Sequence, residues 1–185
     1  MKRTLIFATS VVLLIVAGFA IVEAQSDTSS DAKSARQAHH EARQQRRAER
    51  IAKYEHYVDS VVMSHNYRFV PQTMQQLPAG IMRNLQNPNY EIIVWSDAVD
   101  VCMPYLKGYT PPYYFVVFNY VLSSVQGYTA EQTHEGWHVT FQSTMFSATD
   151  YTFSLDIYSR YGGATLTISS PFYNSVQYMG NIFGI

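Results

Sequence analysis

The sequence is poor in cysteine and in charged residues, and both shortages limit what the protein can be. Its 185 residues include one cysteine, Cys102, so an internal disulfide is impossible and the fold must be stable through packing alone. Charged residues make up 15% of the chain, and the formal net charge is −1. Because non-specific nucleic-acid binding needs a basic field, we expect no nucleic-acid partner.

Signatures of the common enzyme classes are also missing. The sequence has no phosphate-binding loop, dinucleotide fingerprint or Gly-x-Ser-x-Gly elbow. One match remains, since His134-Glu135-Gly136-Trp137-His138 has the spacing of the zinc-peptidase signature His-Glu-x-x-His. That signature requires a helix, whereas the alternation that follows predicts a strand, on which the two imidazoles would lie roughly 13 Å apart. We therefore predict no catalytic residue, metal or cofactor here, and a zinc hydrolase through His134, Glu135 and His138 is the least favoured function.

The N-terminal segment has the pattern of an export signal. Lys2 and Arg3 precede an uncharged stretch from Leu5 to Val22, and Val22-Glu23-Ala24 provides a signal-peptidase site. We predict a signal peptide over residues 1–24, cleaved after Ala24, and a periplasmic or secreted protein. The alternative is an uncleaved anchor, because an uncharged stretch of this length just spans a bilayer. No cysteine lies near its end, so we expect no lipid attachment, and the mature form should have no stable membrane span.

A linker and a helix are predicted next. Residues 25–34 are small and polar, which predicts a flexible linker. Residues 35–65 contain no Gly or Pro, and apolar residues recur at spacings of three and four, which predicts one amphipathic helix. Its basic half, Arg36 to Lys53, either contacts a polyanion or anionic lipid or is a solvated face. We favour the solvated face, because the apolar stripe lacks the large residues needed for membrane insertion.

Residues 66–185 are predicted to form an antiparallel β domain. Fifteen tyrosines and ten phenylalanines suit pleated, half-buried surfaces better than helices. Alternating or β-branched runs separated by turn signals predict about eight strands, without intervening helices. These runs are 67–74, 90–95, 98–103, 114–122, 137–142, 151–157, 164–168 and 176–178. Such a set favours a sandwich or barrel, in which closure would protect the strand edges.

Two short runs carry a resemblance to a known family. Met103-Pro104-Tyr105-Leu106-Lys107-Gly108 follows a predicted hairpin turn, and the chain ends with two apolar strands joined by a Gly turn and then Tyr178-Met179-Gly180. In this order the features resemble domain of unknown function 4251, a family of small exported proteins and lipoproteins of Bacteroidetes, over nearly the whole mature chain. The resemblance implies a lipocalin-like β barrel with no known activity. It further implies that Pro104 and the glycines form turns and that Tyr105 and Tyr178 pack the barrel, although the spacing before Gly108 is one residue longer than in the family.

The favoured function is a non-catalytic binding module of the cell envelope. A small barrel with a Tyr- and Phe-rich mouth would take a small apolar or sugar-like ligand. The candidate ligand-binding residues are Tyr105, Tyr113, Tyr114, Trp137 and Tyr178. An alternative is a protein-interaction or scaffolding protein of the envelope that uses the basic segment as its contacting arm. An enzyme ranks third, either zinc-dependent or acting through Asp97 and Asp100, which flank a hairpin turn.

Overall fold

The computed structural model describes residues 2–185 except 97, 109–111, 124, 146–148 and 161, and it describes side chains from residue 33 onward apart from 126, 144, 145, 149 and 150. The chain divides into two compact units, residues 1–50 and 51–185. The elements are α1 (Lys2–Met63), β1 (Tyr67–Gln76), β2 (Arg83–Asn84), β3 (Glu91–Val94), β4 (Val99–Lys107), β5 (Tyr114–Leu122), β6 (Gln126–Thr133), β7 (Gly136–Met145), β8 (Thr149–Tyr158), β9 (Gly163–Ser170) and β10 (Tyr173–Gly184).

Helix α1 is longer than predicted at its N-terminal side. It runs through residues 25–34, where the sequence predicts a flexible linker, and these residues contain no Gly or Pro to interrupt the backbone hydrogen bonds. The division into signal peptide, linker and helix stays a prediction. At the other end α1 stops at Met63, because His65 adopts a left-handed conformation with φ of 53°. Among the described residues, no helix is both long and apolar enough to cross a bilayer.

The strands form a single antiparallel sheet. Its order is β5-β4-β3-β1-β10-β9-β8-β7-β6, and the short β2 pairs with β1 beyond the end of β3. The ring of Tyr105 in β4 meets the ring of Tyr151 in β8 at 5.6 Å between centroids, although these strands stand five places apart in the order. The sheet is therefore curled into a half-barrel. The mainly β class and the antiparallel arrangement are as predicted.

The half-barrel has an open seam between β5 and β6, which the predicted closed barrel lacks. All neighbours in the nine-strand order are antiparallel, so the first and last strands, β5 and β6, run in the same direction. Pairing them would make a parallel ladder, and parallel strands need a crossover connection of about a dozen residues. Only residues 123–125 join β5 to β6. The sheet therefore does not close, because the order contains an odd number of strands, nine without β2, and the link between its first and last strands is short.

Inward-facing side chains fill the half-barrel. Alternate residues of β1, β4, β8, β9 and β10 are buried, as the two-residue period predicts. The last turns of α1 add Val58, Val61 and Val62 to this core. The backbone N–H of Gly184 donates to the Tyr57 hydroxyl at 2.9 Å, and the Tyr54 ring lies against Gly162. We call the end of the sheet that carries these contacts the helix end, and the opposite end the far end.

Three details of the strands differ from the predictions. Ten strands form rather than about eight, because β2 and β6 were missed. Pro104 lies inside β4 and is not a turn residue. Its carbonyl accepts a hydrogen bond from the Tyr178 hydroxyl of β10, and its Cα partner in β5 is Val117. Gly180 likewise lies inside β10, where it pairs with Pro71.

Candidate functional site

The five predicted ligand-binding residues do not come together in the structure. Tyr105 and Tyr178 are completely buried in the core. The Tyr105 hydroxyl donates to the Asn174 carbonyl at 3.0 Å, and the Tyr178 hydroxyl donates to the Pro104 carbonyl. Burial, with a smaller contribution from Tyr105, raises the pKa of Tyr178 well above its usual value. Both side chains therefore pack in the core, as the resemblance implies, and their hydroxyl groups form hydrogen bonds to carbonyl groups elsewhere in the domain. Neither side chain faces an open cavity.

The other three candidates lie at opposite ends of the sheet. Tyr113 and Tyr114 are exposed at the far end, where β5 begins. Trp137 lies near the start of β7 at the helix end and is half-buried. Its indole N–H donates to a carboxylate oxygen of Asp59 in α1 at 2.7 Å. Trp137 therefore connects the helix to the sheet.

The hydrogen bond between Trp137 and Asp59 gives a stability prediction. Because hydrogen bonds to charged groups contribute about 1.5–3 kcal/mol, we expect Trp137→Phe to lower the free energy of unfolding by about 2 kcal/mol. Urea unfolding followed by circular dichroism measures the change. Asp59→Asn keeps an oxygen acceptor and should cost less than Trp137→Phe. Equal stability of Trp137→Phe and the unchanged protein would show that the bond does not secure the helix.

The zinc-like run lies on a turn and a strand. His134 and Glu135 form the β6–β7 turn, and His138 lies in β7, where its Nδ1 is 2.6 Å from a carboxylate oxygen of Asp156 in β8. The helical geometry that the zinc signature requires is therefore absent. Within the described part of the chain, no three His, Cys, Asp or Glu side chains are grouped to hold a metal ion. Asp97 lies outside the described residues, and Asp100 lies in β4 opposite Ile93 and Val121.

The turn residues His134 and Glu135 also border a surface cleft of about 360 Å³ at the helix end. Tyr158 and Arg160 complete its described lining. The guanidinium of Arg160 lies 3.3 Å from the carboxylate of Glu55, so its charge is already paired within the protein. The Arg160 guanidinium is therefore already engaged, and it does not offer an outside ligand a free positive charge.

A second cleft, of about 410 Å³, has the more favourable chemistry for a ligand. It lies where the β3–β4 turn and the β5–β6 link meet at the helix end of the seam, and we call it the seam cleft. Its described lining consists of His65, Trp95, Ser96, Val99, Ser123, Val125 and Tyr128. Trp95 is 37% exposed, so part of its indole surface is open to solvent.

Aromatic contacts hold the inner wall of the seam cleft in place. The His65 ring lies 4.8 Å from the Tyr128 ring, and Tyr128 is stacked on Phe141 of the core at 6.5 Å. The Tyr128 hydroxyl is 3.2 Å from the Tyr67 hydroxyl. Burial raises the pKa of both phenols, and for Tyr67 the neighbouring Tyr128 raises it further. Both phenols are therefore neutral at physiological pH.

Most of the seam cleft was not predicted from the sequence. The alternation in the sequence predicts Trp95 as a strand residue, and it predicts no strand at Tyr128, which lies in β6. A weak signal in the sequence could have predicted strand β6 and thus Tyr128. Tyr128 and Ala130 alternate with the polar residues Thr129 and Glu131, which is a two-residue period. His65 has no comparable signal, since its position depends on the left-handed backbone that ends α1.

Comparison with known proteins identifies the family. The model of the family described as "Domain of unknown function (DUF4251)" matches residues 49–182, and the chain belongs to this family. The crystal structure of a DUF4251 family protein from Bacteroides eggerthii DSM 20697, at 1.95 Å resolution, is similar to this structure with a TM-score of 0.55. The two sequences are 13% identical, and the match covers 72% of this chain and 89% of that chain, so the likeness concerns the fold. No curated protein matches the sequence.

Proposed function

We propose that the protein is a non-catalytic binding module of the cell envelope and that its ligand, a small sugar-like or apolar molecule, binds in the seam cleft. The observation that carries this proposal is the combination of exposed Trp95 surface with hydroxyl groups in one cleft. Side chains fill the interior of the half-barrel. We therefore propose the seam cleft as the site in place of the barrel mouth.

The chemistry of the seam cleft favours the sugar-like ligand over the purely apolar one. A sugar ring has an apolar face of C–H groups and an edge of hydroxyl groups. The Trp95 indole supplies a flat apolar surface, and the side chains of Ser96 and Ser123 supply hydroxyl partners. The neutral phenol of Tyr128 and the imidazole of His65 lie on the same wall. Pockets that bind small molecules commonly combine aromatic surface with a few polar groups in this way.

Trp95 fluorescence provides the test. The chain has two tryptophans, so Trp137→Phe leaves Trp95 as the sole indole fluorophore. We expect the unchanged protein to bind at least one neutral oligosaccharide on a glycan array, and that sugar to shift the emission of Trp95 in the Trp137→Phe variant. We expect Trp95→Ala to weaken binding about tenfold or more, because losing a stacked ring removes at least about 1.4 kcal/mol.

Tyr114→Ala is the matched control, since it removes an exposed aromatic side chain at the far end. Its affinity for the same sugar should equal that of the unchanged protein. An array without a bound sugar would refute the sugar-like ligand, and equal affinity of Trp95→Ala and Tyr114→Ala would refute the seam cleft as the site.

A protein-interaction role through the basic arm is the second candidate. Residues 36–50 of α1 are exposed throughout, and they belong to a compact unit separate from the sheet. Exposed Arg43, Arg46, Arg47 and Arg50 would suit an acidic partner surface. Pull-down from envelope extracts with the protein and with a variant carrying Glu at these four positions would test this role, which requires partners that the variant loses.

A further inference from the structure

Strand β5 leaves one side of its backbone unpaired at the edge of the sheet. Its only described strand partner is β4, which pairs with it along the whole length from Val99↔Leu122 to Lys107↔Tyr114. The N–H and C=O groups on the seam side therefore have no ladder partner in the described part of the chain. An edge of this kind is a template for pairing with another strand.

The edge of β5 has none of the features that usually prevent such pairing. Proteins protect exposed edges with charged residues, prolines, bulges or very short strands. Strand β5 is nine residues long, contains no Pro and no charged residue, and pairs with β4 without a register shift. The uncharged stretch extends from Gly108 to Ala130 in the sequence.

The opposite edge, β6, is protected. Its pairing with β7 contains a register shift between Gln126 and Thr129, and Gly127 within that shift has a φ of 61°. Glu131 places an exposed charge in the middle of the strand. The two edges of one sheet thus differ in whether they resist association, which indicates that the open edge of β5 has a partner.

The outward-facing side chains of β5 point to the same conclusion. Phe115, Val117 and Val121 are 56%, 45% and 61% exposed, while Phe118 faces the core and is 5% exposed. The outer surface of β6 to β9 is different, since it presents a row of hydroxyl-bearing side chains paired across the strands: Thr129, Thr140, Ser154 and Thr167. Among the described side chains, the exposed apolar edge strand is therefore β5 and not β6.

We propose that β5 pairs antiparallel with β5 of a second copy of this chain, so that two half-barrels share one continuous sheet. A two-fold axis at Asn119 would place Val117 of each copy opposite Val121 of the other, so apolar side chains meet apolar side chains. The absence of charge along β5 means that identical strands meet without like-charge repulsion. A partner strand of another protein would need matching apolar residues, which a second copy already has.

Flanking charges favour the antiparallel orientation. Lys107 lies beside Tyr114 at the start of β5, and Asp100 lies beside Val121 near its end. Antiparallel pairing brings the Lys107 side of one copy towards the Asp100 side of the other. Three strand spacings and an offset of three residues separate the two positions by roughly 17 Å, so this attraction is strongly screened and contributes little to affinity.

Light scattering coupled to size-exclusion chromatography tests the proposal with the purified protein. We expect twice the monomer mass, and we expect Val117→Lys to return the mass to that of a monomer, because it places a charge opposite the apolar Val121 of the other copy at the shared edge. Thr129→Lys, which adds the same charge to the exposed outer surface of β6, should leave the dimer intact. Circular dichroism of both variants verifies that the sheet still forms.

A disulfide trap tests the same pairing without relying on a loss of association. In a Cys102→Ser background, Asn119→Cys should yield a covalent dimer on oxidation, because residues directly opposite across two strands have Cβ atoms close enough for a disulfide. Thr129→Cys in the same background should remain monomeric on a non-reducing gel. A monomeric unchanged protein, a dimer that survives Val117→Lys, or equal cross-linking of the two cysteine variants would overturn the proposal.

Discussion

Replacement of Gly180 by alanine is expected to lower the free energy of unfolding by roughly 3 kcal/mol or more, at the severe end of overpacking. A Cβ at this position would lie 2.1 Å from the Val70 carbonyl oxygen and 2.9 Å from Pro71 Cα. Both are backbone atoms of β1, which cannot move away as a flexible side chain can. The pairing of β1 with β10 lies at the centre of the strand order, so strain there acts on the whole sheet.

Thermal unfolding followed by circular dichroism measures this effect, and we expect the midpoint to fall by roughly 10 °C or more. Gly163→Ala is the matched control in the neighbouring strand. A Cβ there would have its nearest neighbours at 4.0 Å, an ordinary contact, so the free energy of unfolding should change by less than about 0.5 kcal/mol. If Gly180→Ala and Gly163→Ala were equally stable, the close approach of β1 and β10 would be refuted.

The sequence predicted strands wherever side chains alternate strongly. Phe153, Leu155 and Ile157 in β8 and Leu166 and Ile168 in β9 are all buried, as their two-residue period indicated. Strand β6 was missed because its inward positions include Ala130 and Gln132, which contribute little apolar contrast with the outward Thr129 and Glu131. Sequence periodicity therefore predicts the strands with large inward side chains and misses the strand at the protected edge.

The seam could not be predicted without β6. Eight antiparallel strands can close into a barrel, because the first and last then run in opposite directions. The nine strands of the observed path cannot close in this way, and the seam cleft with Trp95 and Tyr128 is a consequence of that count. One missed strand thus changed the expected site from a barrel mouth to an open seam.

Residue roles implied by the family resemblance were partly right. Tyr105 and Tyr178 pack the core and their hydroxyls find carbonyl partners. Pro104 and Gly180, expected in turns, lie within strands. The Pro104 carbonyl accepts a hydrogen bond from the Tyr178 hydroxyl, and the missing side chain of Gly180 allows β1 to approach closely. A residue type that usually forms turns is also suited to such positions, and sequence alone does not separate the two cases.

The buried tyrosines predict a cooperative loss of the fold at high pH. Burial raises the pKa of Tyr120 and of Tyr151 to about 12, opposed for Tyr120 by Ser143 and helped for Tyr151 by Tyr173. The folded pKa exceeds the unfolded value of 10, so the folded protein binds more protons between the two values. Their contribution to stability is fully present below pH 10 and is lost as the pH rises through about 12.

The expected effect is large enough to unfold the sheet. A shift of about two units corresponds to roughly 3 kcal/mol for a fully buried phenol and to less for a partly solvated one, so the two tyrosines together supply a large part of the stability of a marginal domain. Tyr67 and Tyr178, whose pKa values are also raised by burial, act in the same direction. Phenolate absorbance at 295 nm should therefore show a steep step above about pH 11. The β signal in circular dichroism should disappear at the same pH.

Replacing single tyrosines by phenylalanine distinguishes the effect of a buried phenol from that of an exposed one. The Tyr151 hydroxyl is buried and has no hydrogen-bond partner within the described residues, so Tyr151→Phe should leave stability at pH 7 nearly unchanged. It should move the alkaline unfolding midpoint upward, because it removes one group whose ionisation favours the unfolded state at high pH. Tyr113→Phe removes an exposed phenol and should leave the midpoint unchanged. A gradual rise in phenolate absorbance with an unchanged β signal at the end of the titration would contradict the packed interior from which this prediction follows.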